Sequence, residues 1–300
     1  MSTYANRWIV GLDLRPAGQG ALRFARWLAS DGRKGDTSFV GIHVLVEDHL
    51  QAALRYHHLD ELTQGAREQA QVTVSKANAT DIFGELHVVQ GHTAEQALEK
   101  ARVEHGAGGV VVGRQAPRSG HHVFRLGKVA RRMLRTLQAP VVVVPPDWEP
   151  AHVTAAGPVI CATNLCEGVT TAAHFAAGAA AHLSRPLVMV HAVSVPENYG
   201  AHYLPEASRK KIASESEANA VRELAAWLEQ QGITGAQAVV RPGHVIEQVL
   251  DLASETNAAL LVTGSRRLST MERLLLNSVS SDLAASAPCP VAVVPPPPAT

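Results

Sequence analysis

Gly91-His92-Thr93-Ala94-Glu95-Gln96-Ala97-Leu98 is answered, 152 residues further on, by Gly243-His244-Val245-Ile246-Glu247-Gln248-Val249-Leu250. The first octet opens a stretch, residues 94–105, in which Ala97, Leu98 and Ala101 recur three and four positions apart. That spacing puts them on one face of a helix. Further landmarks repeat on either side. Upstream, Trp8-Ile9-Val10-Gly11-Leu12-Asp13-Leu14 is matched by Val159-Ile160-Cys161-Ala162-Thr163-Asn164-Leu165, Phe24 by Phe175, and His43-Val44-Leu45 by His191-Ala192-Val193. Downstream, Val111-Val112-Gly113 is matched by Val262-Thr263-Gly264. Ala139-Pro140-Val141-Val142-Val143-Val144-Pro145 is matched by Cys289-Pro290-Val291-Ala292-Val293-Val294-Pro295. Six landmarks keep their order at displacements of 148 to 152 residues, so the chain holds two copies of one domain. We place the copies at residues 1–148 and 156–300, joined through the Pro-containing stretch 146–158, which has little periodicity.

Within each copy the pattern alternates. Short Val-rich runs at 109–112 and 141–144 are too short for helices and read as strands buried on both faces of a parallel sheet. Between such runs, residues 21–30 and 129–137 carry apolar side chains at helical spacing. A long helical stretch, about 47–80, has an amphipathic, charged counterpart at about 205–231. Strands alternating with helices predict a doubly wound α/β domain with right-handed crossovers. The closing strands 141–144 and 291–294 would be adhesive edges if left bare. Pairing of one with the other would give an intramolecular pseudo-dimer, with a homodimer of tandem chains as a further arrangement.

Composition narrows the function. Twenty-seven basic and twenty-seven acidic residues give zero net charge with His neutral, which argues against binding nucleic acid by bulk charge. An apolar fraction of 46% supports a core, and 18% charged residues are too few and too balanced for a disordered chain. No apolar run approaches membrane-spanning length, and no signal peptide is visible. Three cysteines form neither a disulfide framework nor a CxxC pair, which fits a reducing, cytoplasmic setting. His43 and His191 read as satisfied core histidines, and His92 and His244 as turn or helix-start residues. His57-His58 and His121-His122 are helix or loop neighbours that diverge too far for a bidentate metal site, so no metal centre is expected. No GxSxG elbow or HExxH motif occurs, and Gly127-Lys128 lacks the rest of a Walker A loop.

The ordered landmarks, occurring twice, resemble the universal stress protein family in its tandem form, over nearly the whole chain. The resemblance implies a Rossmann-like, HUP-type fold: a five-stranded parallel sheet per copy, strand order 3-2-1-4-5, with helices on both faces. It also implies a ligand beyond the carboxyl ends of strands 1 and 4. That is where doubly wound sheets bind ligands in general. Nucleotide-binding members of the family resemble one another in a loop after strand 4, which reads Gly, two residues, Gly, nine residues, Gly, then Ser or Thr. Glycines let the backbone approach phosphates, and the following helix presents free N–H groups at its positive end. A carboxylate ending strand 1 holds the nucleoside.

Both copies depart from that pattern. In the first, Asp13 supplies the carboxylate and Gly113 the first glycine. Ala116 replaces the second, Gly127 comes one residue late, and Lys128 stands in the hydroxyl position. The resemblance thus marks Asp13, Leu14, Val44, Gly113, Arg114, Ala116, Gly127, Lys128 and Val129 as nucleotide-binding candidates. In the second, Asn164 replaces the Asp, Gly264 is kept, Arg267 and Asn277 replace glycines, and Ser278 keeps the hydroxyl. These five form a weakened second set. Seven basic residues between Arg114 and Arg135, with no acid among them, favour an anion at the first copy. The alternatives are a solvated helix face and an acidic partner. The expected ligand is ATP or another adenine nucleotide, with Mg2+ accompanying it. The expected role is a stress-response regulatory switch read by an unidentified protein partner, not an enzyme. A nucleotide-free interaction module and a slow ATPase are the competing readings.

Overall fold

The computed structural model describes residues 6–15, 18–31, 37–47, 50, 58–114, 126–193, 203–265 and 279–296. Ala116, Arg267, Asn277 and Ser278 therefore lie outside the described residues. The first copy contains β1 (Arg7–Gly11), α1 (Gln19–Asp31), β2 (Ser38–Val46), α2 (Leu59–Lys76), β3 (Phe83–Gly91), α3 (Ala94–Glu104), β4 (Gly109–Gly113), α4 (Lys128–Arg135) and β5 (Val141–Val144). The second contains β6 (Val159–Ala162), α5 (Thr170–His182), β7 (Leu187–Val193), α6 (Glu206–Gln230), β8 (Gln237–Pro242), α7 (Val245–Glu255), β9 (Leu260–Gly264), α8 (Val279–Ser286) and β10 (Val291–Val294).

The strands form one ten-stranded sheet in the order β3-β2-β1-β4-β5-β10-β9-β6-β7-β8. Each copy thus runs 3-2-1-4-5, all parallel within the copy. The copies meet antiparallel, with Val143 opposite Val291 and Val141 opposite Val293. This pairing covers the two apolar closing strands, whose eight residues are all buried.

Two core layers follow from the period-two alternation of side chains. Trp8 and Val10 of β1 face α1, α2, α5 and α6, whereas Ile9 faces α3, α4, α7 and α8. Both layers run through both copies. Direct contacts reinforce the seam. Trp8 meets Phe175 edge-on at 6.3 Å between ring centroids, and Thr37 Oγ1 lies 2.9 Å from His182 Nε2.

The connecting stretch is pinned. Trp148 is buried edge-on against Phe24 and Trp27, at 5.5 and 5.8 Å between centroids. Arg23 donates to Trp148 O at 2.8 Å and Pro146 O at 2.7 Å. Arg185 donates to Thr154 O, and its guanidinium lies 5.7 Å from the Trp27 ring centroid. Gly20 allows the closest approach: a Cβ there would collide with the Pro145 carbonyl oxygen. No helix among the described residues is long and apolar enough to cross a membrane.

Candidate functional site

β1 lies between β2 and β4, so the connections leave its carboxyl end in opposite directions and open a crevice there. A cleft of about 810 Å³ occupies that place in the first copy, a size suited to a small-molecule ligand. Of the sequence candidates, Asp13, Val44, Gly113, Arg114, Gly127, Lys128 and Val129 line it. Leu14 is not among the lining residues; it packs, half-buried, on the core layer of α1.

The floor comes from β4 and the start of α4. Gly127 is the N-cap of α4, with extended backbone at φ −60° and no side-chain cap. Its carbonyl accepts the N–H of Arg131 at 3.0 Å, so the helix begins there. The N–H groups of Lys128, Val129 and Ala130 precede the first intrahelical donor, have no acceptor within the helix, and carry the positive end of the helix dipole. All three residues line the cleft, and Lys128 is exposed. This end of the cleft is built to accept an anion.

Asp13 is not bare. Its carboxylate accepts Arg15 Nε at 2.8 Å and Arg15 Nη2 at 2.7 Å, a bidentate fork, and the Arg15 backbone N–H at 3.1 Å. The hydrogen bond and charge of Asp13 push the Arg15 guanidinium above its ordinary value. The fork uses two of the five guanidinium donors, so Arg15, itself in the cleft wall, retains others facing solvent or ligand.

Arg114, in the cleft wall, has further partners. Only 4% of it is exposed, and its Nη1 donates to Ala285 O at 2.8 Å and Ala287 O at 2.9 Å, across the seam in the second copy. Burial lowers its pKa, against the attraction of Asp147 and Cys289. The basic run is therefore not one field. Arg114 is engaged by carbonyls, Arg132 pairs with Glu95 at 2.9 Å, and Lys128, Arg131 and Arg135 are exposed.

Sequence reasoning missed Arg15, Thr93 and Glu95, which also line the cleft together with Arg132, one of the seven basic residues of the run. The signals were present. Arg15 lies two residues past the strand-1 carboxylate, and Arg132 one turn after Lys128. Thr93, rather than His92, is the N-cap of α3, accepting Gln96 N–H at 3.4 Å. His92 lies in the cleft wall with Nδ1 3.1 Å from Glu47 Oε2. His43 Nδ1 lies 2.9 Å from Leu12 O, and His191 Nδ1 stands at the same distance from Thr163 O. A carbonyl only accepts, so Nδ1 carries the proton in both copies.

In the second copy a Cβ on Gly264 would lie 3.2 Å from Val169 Cγ2 and 3.4 Å from Val169 Cα, so residues 168–169 pack against the α5 side of the end of β9. Asn164 Oδ1 accepts the Cys166 thiol at 2.9 Å. Among the described residues, no group of three or more His, Cys, Asp or Glu could hold a metal ion.

Comparison with known proteins agrees with this architecture. The model of the "Universal stress protein family" matches twice, at residues 6–145 and 157–295. A Thermus aquaticus protein described as "Universal stress protein in QAH/OAS sulfhydrylase 3'region" is 36% identical over 119 residues, 39% of this chain and 82% of that protein. Among solved structures, a universal stress protein of Archaeoglobus fulgidus superposes with a TM-score of 0.65 at 15% identity, covering 97% of this chain and 98% of that one. A functionally unknown protein of Pseudomonas aeruginosa superposes at 0.63 and 13% identity, covering 97% and 93%. At these identities the structural likeness concerns the fold.

Proposed function

Because the chain belongs to the universal stress protein family, we propose that its first copy binds one ATP or other adenine nucleotide and acts as a ligand-dependent regulatory switch in stress response. One observation carries the reading. The uncapped start of α4, with Lys128, opens into the same switch-point cleft as the Asp13 carboxylate. The phosphates would lie on the N–H groups of residues 128–130, and Asp13 would accept donors of the nucleoside. Mg2+ would arrive with the nucleotide, held by its phosphates rather than by a dedicated protein cage.

The reading is of binding without turnover, in the cytoplasm, with the occupied cleft read by a protein partner. Binding a nucleotide does not imply cleaving it.

The test is thermal stabilisation by Mg2+–ATP, which follows mass action. Asp13→Ala and Gly127→Asp should each abolish it. Gly127 has a backbone conformation open to any residue, so Gly127→Asp reads charge repulsion at the helix start rather than strain. Stabilisation unchanged in both variants would put the nucleotide elsewhere. A second reading, the nucleotide-free interaction module, is favoured by one observation: Asp13 and Arg114 are already engaged within the chain. It predicts no stabilisation at millimolar nucleotide.

A further inference from the structure

Arg114 stands one residue beyond Gly113, where β4 ends in the cleft. Its backbone N–H donates to Val144 O at 2.7 Å, extending the β4–β5 ladder. Its side chain crosses to Ala285 O and Ala287 O. These are carbonyls of the last turn of α8 and of the residue after the helix, whose own N–H closes on Leu283 O. Carbonyls at a helix C-terminus lack intrahelical donors and carry partial negative charge, so they suit a buried guanidinium.

The arrangement is not reciprocal. Ser265 holds the matching position after Gly264 and donates its backbone N–H to Val294 O at 2.9 Å. Its side chain is too short for the return bridge. The link thus runs one way, from the cleft of the first copy to the second copy.

We infer that Arg114 is a positioning residue through which the second copy sets the nucleotide affinity of the first. The inference rests on the nucleotide reading of the cleft. Gly113 and Arg114 both line the cleft. Anchoring Arg114 to α8 fixes this end of β4 in the cleft wall before ligand arrives. Coupling is reciprocal in equilibrium binding, so a nucleotide in the cleft must steady the end of α8.

Hydrogen exchange of the full chain, with and without Mg2+–ATP, tests this together with Arg114→Met and Arg114→Lys. In the wild type, saturating Mg2+–ATP should slow exchange at residues 283–287. Arg114→Met should bind about tenfold more weakly and lose the slowing, and Arg114→Lys should recover part of both. A merely structural arginine would change unfolding without changing the ATP-dependent slowing. If Arg114→Met does not fold, the wild type still decides: ATP binding with unchanged exchange at 283–287 overturns the inference. So does a folded Arg114→Met with wild-type affinity and wild-type slowing. Absence of ATP binding to the wild type overturns the nucleotide reading and this inference with it.

Discussion

Asp13 and Asn164 occupy the same turn in the two copies, and each accepts the backbone N–H of the residue two positions on, at 3.1 and 3.5 Å. The partner side chains differ. Arg15 makes an ionic fork in the first copy and Cys166 a thiol hydrogen bond in the second. That side-chain-to-backbone bond is thus retained while the charge is not, and Leu165 between Asn164 and Cys166 takes φ 61°. Position along the strand made Asp13 legible in the sequence. Adjacency to Gly113 placed Arg114 at the cleft, but not its bridge to partners 171 and 173 residues away. No local pattern encodes such a pairing. The cysteines give a prediction at this scale. Burial pushes the Cys161 and Cys289 thiols up to about 12, so both remain protonated and inaccessible at pH 8. Cys166 is exposed. Native protein at pH 8 should react with a disulfide reagent at one thiol, and denatured protein at three.

Elements were legible in proportion to how completely they are buried. β4 and β5 are continuous apolar runs because both faces are covered. β3 and β8, at the ends of the sheet, are largely half-buried or exposed. Their sequences lack such a run, and only the family resemblance implied a third strand. The connection between copies read as a stretch without periodicity. Its order comes from Trp148 and from carbonyls held by Arg23, contacts that leave no periodic trace. Gly20 marks where α1 approaches that connection. The colliding atom is a backbone oxygen, which cannot rotate aside. Gly20→Ala should therefore destabilise the chain by about 1–3 kcal/mol, as overpacking does, measured by denaturant unfolding. An unchanged midpoint would show that the connection shifts freely.

The whole molecule behaves, on this account, as one cooperative body. The repeat made two domains legible, and the adhesive closing strands made their pairing plausible on physical grounds. The shared core layers were not legible, because they depend on pairs that meet across the seam, Trp8 with Phe175 and Arg185 with Trp27. Since both layers span both copies, heating should give a single calorimetric transition whose enthalpy matches its van't Hoff value. Two resolved transitions would mean that the seam is weaker than its burial implies. The same organisation gives the second copy a purpose: it covers β5 and anchors Arg114.

The asymmetry between copies is the central claim, and stoichiometry tests it most directly. Protein freed of nucleotide by unfolding and refolding would be titrated with Mg2+–ATP in a calorimeter. One nucleotide per chain, lost in Gly127→Asp, is the result predicted by a first cleft that joins the Asp13 carboxylate to the uncapped start of α4 and a second copy in which Asn164 replaces that carboxylate. Two per chain, or none, would contradict it.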